Sequence, residues 1–88
     1  MENINLKEAT IIDVREPSEF SAGCVEGSIN IPLGQVPEKI EEFKAMKQPL
    51  VLCCASGNRS GKAIQFLEAN GIENLHNGGG WTDVNEKL

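Results

Sequence analysis

Short runs of strand-forming residues alternating with segments of helical spacing predict an α/β fold: a small, mainly parallel sheet of about four to five strands with helices on both faces. Three observations carry that expectation. Thr10, Ile11, Ile12 and Val14 are all β-branched, and Leu50, Val51 and Leu52 form a second apolar run opened by Pro49. Elsewhere the apolar spacing becomes helical, with Val36, Ile40 and Phe43 at i, i+4 and i+7 and Ala63, Phe66 and Leu67 at i, i+3 and i+4. Strands and helices in alternation impose right-handed crossovers, and sites in sheets so wound lie beyond the carboxyl ends of the strands.

The first eight residues are polar with Ile4 and Leu6 in alternation, the pattern of a frayed edge strand or a loosely packed tail. Residues 10–14 read as a buried strand that delivers Asp13 and Arg15 at its carboxyl end, and Glu16, Pro17 and Ser18 break it. Residues 21–27 form a loop and residues 28–32 a short strand closed by Pro32. A surface helix follows, with Pro37 suited to its first turn. Its acids Glu38, Glu41 and Glu42 precede Lys44 and Lys47, the order the helix dipole favours, so these charges form a solvated face without a binding role. The strand at Leu50 leads through a tight loop into a helix that opens at Ser60 and stops at Gly71. Residues 73–76 make the last strand, Gly78, Gly79 and Gly80 a flexible turn before Trp81, and residues 82–88 one or two helical turns.

A chain of 88 residues suffices for one domain over 1–88, and a domain of that size buries somewhat over 60% of its unfolded surface. Apolar residues at 40% and charged residues at 24% are ordinary for a globular protein. The N-terminus lacks the basic start and apolar stretch of a secretory signal, so a cytoplasmic location is expected. A formal net charge of −5 disfavours nucleic acid and anionic membranes as partners. Anion binding must then come from local geometry, meaning amides and Arg59. The 3 cysteines, two of them adjacent, are a poor disulfide framework and suit free thiols in a reducing compartment.

One thiol stands out by position. Cys54 closes the Leu50 strand, and Ala55, Ser56, Gly57, Asn58 and Arg59 are small or turn-forming apart from the arginine, which permits a tight loop with its amides turned inward. Those amides and the positive end of the helix at Ser60 stabilise an anion, and a thiolate is one. A free cysteine of pKa about 8.5 is only about 3% ionised at neutrality, whereas one lowered to about 6.5 is roughly three-quarters ionised.

The run Cys54-Ala55-Ser56-Gly57-Asn58-Arg59-Ser60 resembles the active-site loop of the single-domain rhodaneses, the thiosulfate sulfurtransferase-like proteins that carry sulfur as a cysteine persulfide. Asp13-Val14-Arg15-Glu16-Pro17 with Glu19-Phe20 resembles that family's first strand and following turn. Gly27-Ser28-Ile29-Asn30-Ile31-Pro32 resembles its second strand, and Gly78-Gly79 its paired glycines. The four blocks stand in the family's order.

The resemblance implies a rhodanese-like fold and a sulfurtransferase with Cys54 as nucleophile and carrier, residues 55–59 as the cradle, Ser60 as cap of the following helix, and no metal or organic cofactor. Arg59 then either steadies the donor or pairs with Asp13 or Glu16, while Asp13 and Arg15 form a charged scaffold behind the loop or pair with each other. The implied partners are a small anionic donor such as thiosulfate and a thiol, thioredoxin-like or cyanide acceptor. Trp81 is placed at the pocket wall or in the core. The family usually has histidine where Cys24 stands, so Cys24 is a resolving thiol or a space filler. Efficient thiosulfate users often carry a cation at the position of Ala55, whose absence predicts weak affinity for a dianion.

Other chemistries fit less well. Cysteine-dependent phosphatases and arsenate reductases resemble this loop but place five residues between cysteine and arginine, whereas here residues 55–58 make four. A zinc site from Cys24, Cys53, Cys54 and His76 fails because adjacent strand residues point to opposite faces. A regulatory or docking module remains the non-enzymatic alternative, although such modules typically lose the cysteine.

Overall fold

The computed structural model describes residues 5–88. The elements run β1 (Thr10–Asp13), α1 (Pro17–Ala22), β2 (Ile29–Asn30), a 3₁₀ segment (Leu33–Lys39), α2 (Ile40–Ala45), β3 (Leu50–Cys54), α3 (Asn58–Ala69), β4 (Leu75–Gly80) and α4 (Trp81–Glu86). The four strands form one parallel sheet in the order β2-β1-β3-β4. From the central pair the chain leaves β1 toward one edge and β3 toward the other. The carboxyl ends of β1 and β3 therefore flank the switch point where open α/β sheets form their sites.

Alternation along the strands assigns each side chain to a face. Ile12, Val14, Leu50, Leu52 and Cys54 pack with Val36, Phe43, Ala63 and Leu67, so the 3₁₀ segment, α2 and α3 cover one side. Ile11, Val51 and Cys53 pack with Leu6, Val25 and Val84, so α4 and two loops cover the other. Both faces are shielded, as a parallel sheet requires. Cys53 and Cys54 belong to opposite sides.

Helix α3 is placed by Ala63 and Leu67, both fully buried. It ends where Gly71 takes φ +86. The Gly71 amide donates to the Glu68 carbonyl at 3.1 Å and the Ile72 amide to the Leu67 carbonyl at 3.1 Å, with Ile72 and Leu67 sharing the core. This double closure is the left-handed stop that the glycine predicts.

Four local expectations are corrected. Residues 17–22 are helical: Pro17 opens α1 and the Glu19 carboxylate reaches back to accept from the Glu16 amide at 3.1 Å. A six-residue helix without a buried residue leaves no apolar period to read. The segment around Pro37 is 3₁₀ before it becomes α2, because proline supplies no amide to an α-helical ladder, yet Val36 and Phe43 are buried as their spacing demands. The glycines at 78–80 are strand, not flexible turn. A Cβ on Gly78 would stand 2.6 Å from Val84 Cγ2 and 3.0 Å from Val51 Cγ1, so only glycine lets α4 close over β4 there. The β3–β4 register shifts at this point, Leu52 facing Asn77 and Cys53 facing Gly79. Finally, Ile4 lies outside the described residues, and Leu6 sits in a turn with its side chain buried rather than in an edge strand.

Candidate active site

Cys54 ends β3 beside the switch point, and its side chain is 1% exposed. Its sulfur accepts the Gly57 amide at 3.0 Å and lies 3.6 Å from Ser60 Oγ. Gly57 turns the loop back through φ +96, and a Cβ there would come 3.2 Å from Gly79 Cα, so both backbone angle and space call for glycine. Helix α3 starts immediately after Gly57, earlier than the sequence indicates, and the Ser60 amide of its first turn bonds the sulfur. Ser60 is therefore not the cap. It is the third residue of α3, fully buried, with its hydroxyl directed inward.

Two opposing influences set the state of this thiol. Burial pushes it up, and the Ser60 amide, the Ser60 hydroxyl and the Ser56 and Gly57 amides together overcome burial and bring it down to about 7. About half the thiol is then ionised at neutral pH. Its neighbour behaves in the opposite way. Burial, with help from the Asp13 charge, pushes Cys53 up to about 12, which keeps it a protonated, inert packing residue. Around this buried sulfur the loop of residues 54–60 is exposed to solvent at Ala55, Ser56 and Asn58.

Arg59 does not pair with Asp13 or Glu16. Its Nη1 and Nη2 donate to Glu19 Oε1 and Oε2 at 2.7 and 3.0 Å, tying α3 to α1. This bidentate partner holds the Glu19 carboxyl down to about 2 and raises the Arg59 guanidinium. Asp13 and Arg15 pair with each other. Asp13 Oδ1 accepts the Arg15 amide at 2.9 Å and Nε at 3.0 Å, Oδ2 accepts Nη2 at 2.8 Å, and Nη2 donates onward to the Gly23 carbonyl at 2.6 Å. Arg15 also stacks over the Trp81 ring, 4.9 Å from its centroid. Asn30 Nδ2 donates to the Asp13 and Arg15 carbonyls at 3.0 and 2.9 Å, fastening β2 to the same point. Among the described residues neither Asp13 nor Arg15 hydrogen bonds to residues 54–60; their contacts run to each other, to Gly23 and to Trp81.

The remaining candidates make no hydrogen bond to the loop. Cys24 carries a free, half-buried thiol beside Val25, whose side chain packs on the face opposite Cys54. His76 faces Val51 in the first half of β4 and meets Asn74 Oδ1 at 3.0 Å. No group of three or more His, Cys, Asp and Glu side chains is placed to hold a metal ion among the described residues. Among the described residues no helix is long and apolar enough to cross a membrane.

Sequence reasoning missed Asn77. Its Nδ2 donates to the Gly57 carbonyl at 2.9 Å, and its Oδ1 accepts from Ser60 Oγ at 2.7 Å and from the Gly79 amide at 2.9 Å. One amide thus braces both ends of the loop against β4. These contacts join residues 17 and 20 positions apart, and nothing in the local pattern around Asn77 signals them.

Comparison with known proteins agrees with this geometry. Residues 1–87 match the family model of the rhodanese-like domain. The chain is 42% identical over 71 residues to the uncharacterized protein YqhL of Bacillus subtilis, a match that takes in 81% of this chain and 56% of that one. It is 38% identical over 74 residues to the thiosulfate sulfurtransferase PspE of Escherichia coli, covering 83% of this chain and 71% of the relative. A solved rhodanese with anions from E. coli superposes with a TM-score of 0.77 at 34% identity, over 85% of this chain and 89% of the other. With the parallel sheet, the cysteine at the end of β3 and a family match running from residue 1 to residue 87, the chain belongs to the rhodanese-like domain family.

Proposed function

We propose that this chain is a sulfurtransferase working by double displacement on Cys54. The Cys54 thiolate attacks the outer sulfur of a donor such as thiosulfate. The donor's S–S bond breaks, and sulfite leaves with its electron pair. The outer sulfur remains on Cys54 as a persulfide, with the negative charge now on the terminal sulfur. An acceptor thiolate, whether a small thiol or a thioredoxin-like protein, or cyanide then attacks that terminal sulfur, and the Cys54 thiolate is regenerated. No proton is consumed in the cycle when both attacking groups are ionised.

The observation that carries this reading is the Gly57 amide 3.0 Å from a Cys54 sulfur whose thiol is lowered to about 7 despite its burial. A sulfur held by amides at a helix start is poised as an anion, and the loop around it faces solvent at Ala55, Ser56 and Asn58, the side from which a donor would approach. Arg59 acts structurally, since Glu19 occupies both of its terminal nitrogens. Asp13 and Arg15 support the site by fixing the end of β1. The three free thiols suit a reducing compartment such as the cytoplasm.

The test is mass spectrometry of the protein after thiosulfate treatment. One added sulfur, mapped to Cys54, removed by cyanide and missing in Cys54→Ser, is the expected result. Turnover surviving in Cys54→Ser, or a sulfur carried on Cys24 or Cys53 instead, would overturn the assignment.

A further inference from the structure

Ser60 is fully buried, and its hydroxyl meets two side chains, Cys54 Sγ at 3.6 Å and Asn77 Oδ1 at 2.7 Å. A serine hydroxyl has one proton to give. Which neighbour receives it depends on how the Asn77 amide is turned, and two backbone groups decide that. The Gly79 amide points at Oδ1 from 2.9 Å and the Gly57 carbonyl faces Nδ2 at 2.9 Å. Flipping the amide would set donor against donor at Gly79 and acceptor against acceptor at Gly57. Asn77 therefore presents only an acceptor to Ser60, and the Ser60 proton lies on the Asn77 side. Toward Cys54 the hydroxyl then offers a lone pair, which accepts from the thiol and opposes the thiolate.

We infer that Asn77 is a positioning residue that holds the Ser60 hydroxyl away from Cys54, so that ionising the thiol requires the hydroxyl to swing from Asn77 to sulfur. The swing breaks no covalent bond. Asn77 Oδ1 keeps the Gly79 amide when the hydroxyl leaves, while the thiolate gains a donor in addition to Gly57. A hydrogen bond to charged sulfur is stronger than one to a neutral amide, so the rotation is favourable once the proton is lost. A hydrogen bond from the Ser60 hydroxyl is among the interactions that bring Cys54 down, and the turned position is the one in which the hydroxyl can donate it. Asn77 accordingly acts as a brake on ionisation through Ser60, while bracing the loop through Gly57. In the persulfide the charge moves to the terminal sulfur, and the hydroxyl is free to return to Asn77.

The charged groups around Cys54 do not explain such a control. Arg59 on α3 is neutralised by Glu19 on α1, Arg15 on β1 is neutralised by Asp13, and Cys53 remains protonated. Asp83 on α4 lies beside Gly80 and hydrogen bonds to neither Cys54 nor Ser60. His76 on β4 lies toward the other end of its strand.

The inference takes Cys54 as the reacting group of the preceding section, but its readout needs no sulfur donor, so either can fail without the other. The test is the pH dependence of Cys54 alkylation, resolved by mass spectrometry, for Asn77→Ala, Ser60→Ala and the double variant of the full chain. Asn77→Ala is expected to lower the half-point by about half a unit to one unit, and Ser60→Ala to raise it. Asn77→Ala added to Ser60→Ala is expected to produce no further lowering. A merely structural brace predicts the reverse, because a loosened cradle loses its amides and the half-point rises in both backgrounds. That result, or an equal or absent shift in both, would overturn the inference. Should Asn77→Ala fail to fold, Asn77→Asp keeps the acceptor and adds charge. It must raise the half-point further with Ser60 present than in Ser60→Ala, and an equal rise in the two would likewise refute it.

Discussion

The guanidinium of Arg59 and the carboxylate of Glu19 meet end to end, 2.7 and 3.0 Å apart at their two contacts and 40 residues apart in sequence. This pair closes α1 over the start of α3. It also takes up both terminal nitrogens of the loop's arginine, while the hydrogen bonds that bring the Cys54 thiol down come from backbone amides and the Ser60 hydroxyl. Four predictions follow from this arrangement and its neighbours.

Replacing Glu19 with Gln leaves Arg59 without its charged partner. The Glu19 carboxyl is held at about 2, below its ordinary value, so its contribution to stability is fully present above about pH 4.5 and is lost as pH falls through about 2. The variant is expected to be less stable than the parent at neutral pH and to unfold at higher pH on acidification. The two proteins converge near pH 2. Acid titration followed by circular dichroism measures this, and parallel curves at all pH values would contradict it.

The two adjacent thiols are expected to separate by reactivity. Cys54, at about 7, alkylates with a half-point near neutrality, while Cys53, at about 12, stays unmodified until the protein unfolds. Because the folded value of Cys54 lies below the ordinary one, its ionisation adds stability as pH rises from about 7 to 9 and is lost below about 7. Cys54→Ala should lack that gain, readable as a flatter dependence of the urea midpoint on pH.

Asp13→Ala strands the Arg15 charge in a site where that residue is 5% exposed. Breaking a buried pair on one side costs about 3–5 kcal/mol, a large part of the roughly 5–15 kcal/mol a domain possesses. Urea unfolding should show this loss, and Asp13→Ala combined with Arg15→Met should recover much of it. A loss below about 1 kcal/mol would mean the pair does not hold the end of β1.

Arg59 is engaged by Glu19, and Ala55, the uncharged residue next to Cys54, is exposed. Ala55→Arg is expected to lower KM for thiosulfate about two- to fivefold, the size of an exposed charge interaction, with the gain fading in high salt. An unchanged KM would show that charge at the mouth does not limit donor binding.

The α/β class, the strands at Leu50 and Thr10, the stop at Gly71 and the tight turn that follows Cys54 were all legible in the chain itself. Each rests on a periodicity or a turn residue that acts within a few positions: β-branched runs, apolar spacing, a glycine after a helix, small residues after a strand. Residues 17–22 escaped because a helix with no buried face has no period. Packing alone decided that the glycines at 78–80 would run as strand, since only Val84 and Val51 pressing on Gly78 exclude a side chain there. The same holds for Glu19 as the partner of Arg59, for Ser60 turned inward inside α3, and for Asn77 clamping Gly57 and Ser60. These contacts join residues 17 to 40 positions apart, and hydrogen-bond geometry at that separation exists only after the sheet has brought the carboxyl ends of β1, β3 and β4 together.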